Sequence, residues 1–310
     1  AAFLRLVDVM RPARLFLVSF LILLLEMAVI RWTSSQFRVL AYFGNIVLLA
    51  CFLGLSVGCL APRRWPRIGS LHPWLLLGLF VTVLALREGR LFFRHDESTW
   101  LWQEGGSQQG SMLRLPMLVV PAYLWIALLF TAPGQWLGRA FEGIEPLRAY
   151  MWNIAGSLAG VAAQVAMSFL SLPACVWFGV CAACTVALQW NEARRPWAGF
   201  AALAIGIFVL TLDDVHFLWS PYYKIERRNL YVDAGEPERV EVGFELRVNE
   251  DYHQAAYDLG DAMIRRVPDL QRMRALYDAP YRLHGKAGRV LVLGAGNGND
   301  VAAALRAGAE

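Results

Sequence analysis

A series of long apolar runs fills residues 1–212 and constrains the fold more than any other feature. The runs fall at 15–30, 40–60, 73–86, 115–131, 150–170, 173–190 and 197–212. A membrane helix needs about 20 apolar residues to cross the hydrocarbon layer, and several of these runs are shorter, so six or seven spans are expected. Trp32, Trp74, Trp190, Trp197 and Trp219 stand at or just beyond the run ends, where an amphipathic indole suits the headgroup layer.

Composition marks where this pattern stops. Residues 1–212 carry 16 Lys+Arg against 9 Asp+Glu, whereas 213–310 carry 13 against 16, which puts a domain boundary near Asp213. The basic residues flank apolar runs and form no stripe with polar aromatics, which argues against nucleic acid as a partner. All five cysteines lie in apolar stretches, so a disulfide framework and a metal site are not expected, and Cys181-x-x-Cys184 reads as packing. The chain opens on Ala1 and stops at Glu310 in a helical pattern, and it reads as a piece of a longer protein.

Polar residues inside the runs are candidates for function, because a charge in hydrocarbon is expensive. Glu26 lies in the first run and Asn153 opens the fifth. Arg31, five residues on, is poorly stacked on Glu26, so Asn153 or Gln164 is the expected partner across the bundle. Such a cluster serves equally as structural glue or as a path for a proton or substrate. Gly54-x-x-x-Gly58 and Gly156-x-x-x-Gly160 let helix backbones approach closely. We favour packing within one bundle over contact between copies, and a homo-oligomer stays open. The loop 87–114 is polar and without catalytic spacing. Arg5, Arg11 and Arg14, then Arg63, Arg64 and Arg67, then Arg194 and Arg195 place the N-terminus inside. Seven spans would then export the C-terminal part, unless 197–212 does not cross.

After Trp219 short alternating runs separated by turn residues predict antiparallel β-structure, with a turn at Asn249-Glu250-Asp251. Ala255, Leu259, Met263 and Val267 at helical spacing predict helices over about 252–277, broken at Pro268. The last motif is the most informative: an apolar run at 289–293 suited to a buried parallel strand, then Gly294-Ala-Gly296-Asn297-Gly298-Asn-Asp300, then a helical pattern. Strand, glycine turn and helix start are the parts that bring backbone N–H groups to a nucleotide ligand. Asp300 reads first as a helix-start residue and second as a ligand contact.

The segments at 220–226 (SPYYKIE), 245–259 (ELRVNEDYHQAAYDL), 277–283 (YDAPYRL) and 290–310 together resemble the spermidine synthase family, and those at 23–31, 52–58 and 148–160 resemble its bacterial members fused to a membrane domain. The resemblance implies an α-helical polytopic membrane domain (1–212), a small β-hairpin region for substrate or oligomerisation (213–259) and the start of a Rossmann-like α/β domain (260–310). It further implies a transferase of polyamine biosynthesis in a bacterial inner membrane, its soluble part cytoplasmic. Such an enzyme moves an aminopropyl group from decarboxylated S-adenosylmethionine, or uses S-adenosylmethionine itself, with a small amine as acceptor. Gly294, Gly296 and Gly298 match the family's cofactor loop, with Asn297 where an acidic residue is usual and Asp300 following. Tyr223 stands where a cofactor-contacting Gln is common. Gln254, or His253 with a one-residue shift, falls near the second Gln, and Tyr257-Asp258 replaces a Tyr-His pair. His253 and Tyr257 are thus the substrate candidates. The catalytic base is expected after residue 310, so this piece alone should lack turnover. A transporter with a nucleotide-sensing domain is the alternative, and a membrane-anchored NAD-dependent oxidoreductase a third reading.

Overall fold

The computed structural model describes residues 2–37, 40, 44–60, 63, 65, 67–88, 114–190, 196–233, 239–285 and 288–310. Most of the polar loop 87–114 and the DAGEPE turn lie outside these residues. The chain divides into two compact units, Ala1–Lys224 and Ile225–Glu310.

The first unit is helical. Its helices are α1 (Ala2–Gln36), α2 (Gly44–Leu60), α3 (Ile68–Glu88), α4 (Arg114–Phe141), α5 (Pro146–Phe169), α6 (Ala174–Gln189) and α7 (Pro196–Asp214). Each expected apolar run is thus largely helical over its described residues, and among the described residues only four stretches are long and apolar enough to cross a membrane: Arg11–Gln36, Ile68–Leu86, Val119–Phe141 and Trp197–Asp214. The shortfall from six or seven has physical causes. Over the described residues α2 and α6 run for 17 and 16 residues, about 25 Å, less than the roughly 30 Å of a hydrocarbon core. Asn153, Ser157, Gln164 and Ser168 dilute α5. The run at 197–212, suspected of not crossing, is among the four.

Helix starts and stops follow local chemistry. Glu145 caps α5, its carboxylate accepting from Leu147 N at 3.2 Å and Arg148 N at 3.0 Å, and Pro146 occupies the first turn, where its missing N–H is no loss. Helix α7 ends at Asp214, whose carboxylate accepts from Cys175 N at 2.7 Å and from Trp219 Nε1 at 2.8 Å. The chain then turns to β-structure as expected, with β1 at Leu218–Trp219.

Two pairs of helices meet backbone to backbone. A Cβ on Gly54 would stand 2.1 Å from Ala127 O, one on Gly58 2.3 Å from Thr131 O, and one on Gly134 2.5 Å from Leu55 O, so α2 and α4 leave no room for a side chain between them. Helix α5 meets α1 in the same way, with Gly156 against Phe16 O and Gly160 against Phe20 O. The small-residue pairs therefore serve packing within the chain. Around these seams a core forms from Leu21, Leu25, Trp32, Phe80, Phe130, Trp136, Trp177 and Phe178, with Trp32 edge-on to Phe80 and Phe178. Trp74, Trp190 and Trp197 are exposed as the headgroup reading requires, but Trp32 and Trp219 are buried. The tertiary fold uses those two indoles as core aromatics, which position along the sequence could not reveal.

The strands β1, β2 (Lys224–Asp233), β3 (Arg239–Val248) and β4 (Asp251–Tyr257) form an antiparallel sheet in that order. The β3–β4 hairpin turns on Asn249 and Glu250, both at positive φ as a two-residue hairpin loop of the primed type demands, and Arg247 Nη2 donates to Glu250 O at 2.5 Å across it. Helices α8 (Asp261–Arg266), α9 (Leu270–His284) and α10 (Asn299–Arg306) complete the second unit. The break at Pro268 is where the pattern put it. The helix expected from Tyr252 is instead strand as far as Tyr257, because Ala255 and its neighbours pair with β3 and long-range ladder bonds override local spacing. Val240, Val242, Leu259, Val267 and Leu270 form this unit's core.

The run at 289–293 forms no strand, contrary to expectation, and Leu291 and Leu293 are exposed. A parallel strand exists only through hydrogen bonds to a neighbour, and no described strand lies beside it. The architecture shown is mostly helical with one small antiparallel sheet.

The backbone seam gives a direct test. Gly58→Ala should destabilise the helical unit by about 1–3 kcal/mol through overpacking against Thr131 O. Gly179→Ala, with nothing within 4 Å of its Cβ, should be neutral or gain up to about 1 kcal/mol. Thermal melts of both variants in detergent measure the contrast, and equal effects would refute the seam.

Candidate functional site

The glycine turn of the second unit is the one place where several predicted residues meet. Gly294, Gly296 and Gly298 all have positive φ (71°, 52° and 85°), a conformation L side chains rarely adopt. Gly298 N donates to Ala295 O at 2.8 Å, closing the turn, and Gly298 itself caps α10 from the left-handed region. The first N–H groups of α10 therefore open onto the turn with the positive end of the helix dipole behind them. Asp300 is exposed in the first turn of that helix, where its charge complements the dipole, in line with its reading as a helix-start residue.

Gln254 on β4 reaches this turn: a Cβ on Gly296 would lie 2.5 Å from Gln254 Oε1. Position 296 is thus restricted by its φ, and a side chain there would displace the Gln254 amide. Asn297 is half-buried, and its Nδ2 has no hydrogen-bond partner. The geometry offers a backbone cradle with two amide side chains at its edge.

Asn299, which the sequence reading passed over, holds this arrangement together. Its Nδ2 donates to Ala255 O at 2.6 Å and lies 3.1 Å from the Tyr277 hydroxyl, while its Oδ1 accepts from Tyr257 N at 3.0 Å. One buried amide joins β4, α9 and α10. The signal was an Asn inside a glycine-rich run at a helix start, but its partners lie 22 to 44 residues away in sequence and were not legible.

The other predicted residues are placed differently. His253 is exposed on β4, at the point where the β3–β4 register shifts, and Gln254 is half-buried. Tyr257 packs its ring against the Val240–Val242 core, which makes it a structural residue first. Tyr223 belongs to the helical unit, half exposed, where its N–H bonds Ser220 Oγ at 2.8 Å. Two open clefts of the second unit are lined by residues other than Gly294, Gly296 and Gly298, one between α8 and α9 around Arg265 and Arg282, another beside Val290 and His284.

Charge pairs brace α10. Arg306 Nη2 donates to Asp278 Oδ1 at 2.7 Å, Arg274 Nε to Asp278 Oδ2 at 3.3 Å, and Arg274 also holds Asp261. The Arg274 guanidinium keeps the exposed Asp261 carboxyl below its usual range, first by hydrogen bonding and then by charge.

The intramembrane candidates are also rearranged. Asn153 Oδ1 accepts from Ser19 Oγ at 2.8 Å, and Arg31 bonds Ser168 Oγ and Ser220 O, so neither meets Glu26. Glu26 is 4% exposed inside α1. The α1–α5 seam is built on residues 16, 20, 24 and 31, and position 26 lies off that face. Cys181 and Cys184 are buried free thiols. Among the described residues no His, Cys, Asp and Glu cluster could hold a metal.

Asn299→Leu should cost about 2–4 kcal/mol by removing three hydrogen bonds and stranding Ala255 O and Tyr257 N–H, read as faster hydrogen exchange at Tyr257. For Asp261, a depressed folded pKa means stability present above the unfolded pKa of about 4 and lost as pH falls through the folded value. Arg274→Met should therefore flatten the acid limb of the stability profile below about pH 4 and raise the Asp261 pKa measured by NMR; an unchanged limb would dismiss the pair. No family model, curated protein or solved structure matches this chain.

Proposed function

We propose that the chain is the membrane-anchored part of an aminopropyltransferase of the spermidine synthase type, with the glycine turn receiving the adenosyl portion of decarboxylated S-adenosylmethionine. The observation that carries the reading is the turn itself: three glycines at positive φ before α10, with Gln254 against Gly296 and an unpartnered Asn297 amide at its edge. Backbone N–H groups and the helix start would hold an electron-rich ligand edge, and Gln254 and Asn297 would supply the directional bonds. The four long apolar helices support anchoring in a bilayer. The Rossmann-like completion of the turn, the bacterial inner membrane and the cytoplasmic side belong to the same reading.

The chemistry is an in-line displacement. The lone pair of a neutral amine attacks the methylene carbon next to the sulfonium, the C–S bond breaks, methylthioadenosine leaves, and the new ammonium gives up a proton. Such a reaction is accelerated chiefly by positioning and by keeping the amine neutral. The site's part is to fix the sulfonium donor; Tyr257 is committed to the core, so His253, exposed on the neighbouring strand, is the described residue better free to meet the acceptor.

A second reading, transport with nucleotide sensing, is favoured by one observation: Glu26 is buried within a helix long enough to span a membrane, while Asn153 and Arg31 bond other groups. Glu26→Gln would then abolish amine uptake into proteoliposomes without changing nucleotide binding.

Calorimetry with decarboxylated S-adenosylmethionine and with S-adenosylmethionine tests the main reading. Gln254→Ala, which leaves the glycines untouched, should weaken binding about tenfold, the worth of one charge-free bond plus contact loss, and Gly296→Val should abolish it. Wild-type affinity in both variants would remove the turn from the site.

A further inference from the structure

The helical unit holds a second polar cluster that the proposed reaction does not use. Arg31, near the C-terminal end of α1, has its guanidinium 4.4 Å from the Trp177 ring centroid and 5.6 Å from that of Trp219. Its Nη1 donates to Ser168 Oγ and its Nη2 to Ser220 O, but its Nε is buried without a partner. No carboxylate among the described residues pairs with it. Asp214, the acid of the same end of the bundle, is occupied by Trp219 Nε1 and Cys175 N. Arg31 as a whole is half-buried, but its Nε–H is sealed from solvent, and a polar group so placed costs free energy when it has no partner.

Two neighbours share the deficit. Trp177 is fully buried and its indole N–H has no acceptor. Gln164 is 2% exposed and both its Nε2 and its Oε1 are unpartnered. Its position follows from the seam: Gly156, Gly160 and Ser168 all face α1, and Gln164 falls on the same face at the same four-residue spacing. It stands one turn from Ser168, whose hydroxyl bonds its carbonyl at 2.8 Å. Unpartnered donors of Arg31 and Trp177 thus belong to two side chains in direct contact, and Gln164 stands one turn from the Ser168 that Arg31 bonds. A lone orphaned amide would be a packing fault, but three donors and a cation share one chemical complement.

We propose that Arg31, Trp177 and Gln164 form a binding site for an oxyanion of the phosphate class, at the end of the helical unit where α1, α5 and α7 finish and α6 begins. The guanidinium Nε–H and the indole N–H donate to its oxygens, Gln164 Nε2 supplies a third donor, and the anion's charge pairs with that of the half-buried arginine. A lipid phosphodiester and free phosphate offer the same oxygens, and exposed apolar residues beside the cluster, Phe169 and Leu170, leave both routes open.

Calorimetric titration of the detergent-solubilised full chain separates the sources, using inorganic phosphate in one arm and dihexanoyl phosphatidylglycerol in the other. Binding in either arm is expected, with the stronger arm naming the source. Arg31→Lys keeps the charge but loses Nε and the fork, and Trp177→Phe keeps the ring but loses the N–H. Each should weaken that binding, the first by about tenfold and the second by about threefold. Arg63→Gln, which breaks only an exposed pair with Glu142, should not change it. Neither anion binding the wild type, or wild-type affinity in Arg31→Lys or Trp177→Phe, would overturn the proposal, as would a Gln164→Leu variant that melts higher and binds as before.

Discussion

The close approach of helix backbones at glycine is the constraint on which the helical unit depends. Where Gly54 and Gly58 meet the carbonyls of Ala127 and Thr131, and Gly156 and Gly160 those of Phe16 and Phe20, no side chain separates the helices. Dispersion and weak C–H···O contacts between backbones replace the interdigitation that larger residues provide, and they work equally well in lipid, where burial of apolar groups drives nothing. The register of each pair follows. Once Gly156 and Gly160 have placed α5 on α1, Asn153 comes to Ser19 at one end and Ser168 to Arg31 at the other. Polar contacts along the seam are consequences of that packing.

The second unit is organised by a different economy. Its core is small, five buried apolar residues with a partly buried rim, and directional bonds take a larger share of the work. Asn299 ties the strand, the long helix and the helix after the glycine turn through a single side chain, and the Arg274–Asp278–Arg306 pairs repeat the tie outside. The shape of the turn itself is set by three positive φ angles that glycine alone adopts without strain. A site meant to admit a ligand's edge to backbone N–H groups needs that combination of a rigid frame and absent side chains.

Apolar run length and glycine spacing made much of this legible without coordinates. The described parts of the seven runs are helical in the main because long apolar stretches satisfy their backbone bonds best internally, and the Pro and Gly within them do not break the pattern. The change to strands after Asp214, the hairpin turn at Asn249-Glu250 and the break at Pro268 are local chemistry, readable from a few neighbouring residues. The three candidate-loop glycines could be named for the same reason, since a turn's φ requirements are written in its own residues.

What tertiary structure alone decided is which distant groups meet. Tyr252 to Tyr257 carry a helical spacing yet lie in a strand, because pairing with β3 outweighs local preference. The run at 289–293 has strand character and forms none, since a strand is a relation between two segments. Arg31, whose nearest carboxylate in sequence is the poorly stacked Glu26, meets Ser168, Ser220 and two indoles in space. Trp32 and Trp219, placed by position at a membrane surface, are core residues. Sequence determined the elements, because dihedral and hydropathy preferences act over a few residues; the fold decided the partners, because contact between residues more than a hundred positions apart depends on packing that no local pattern records.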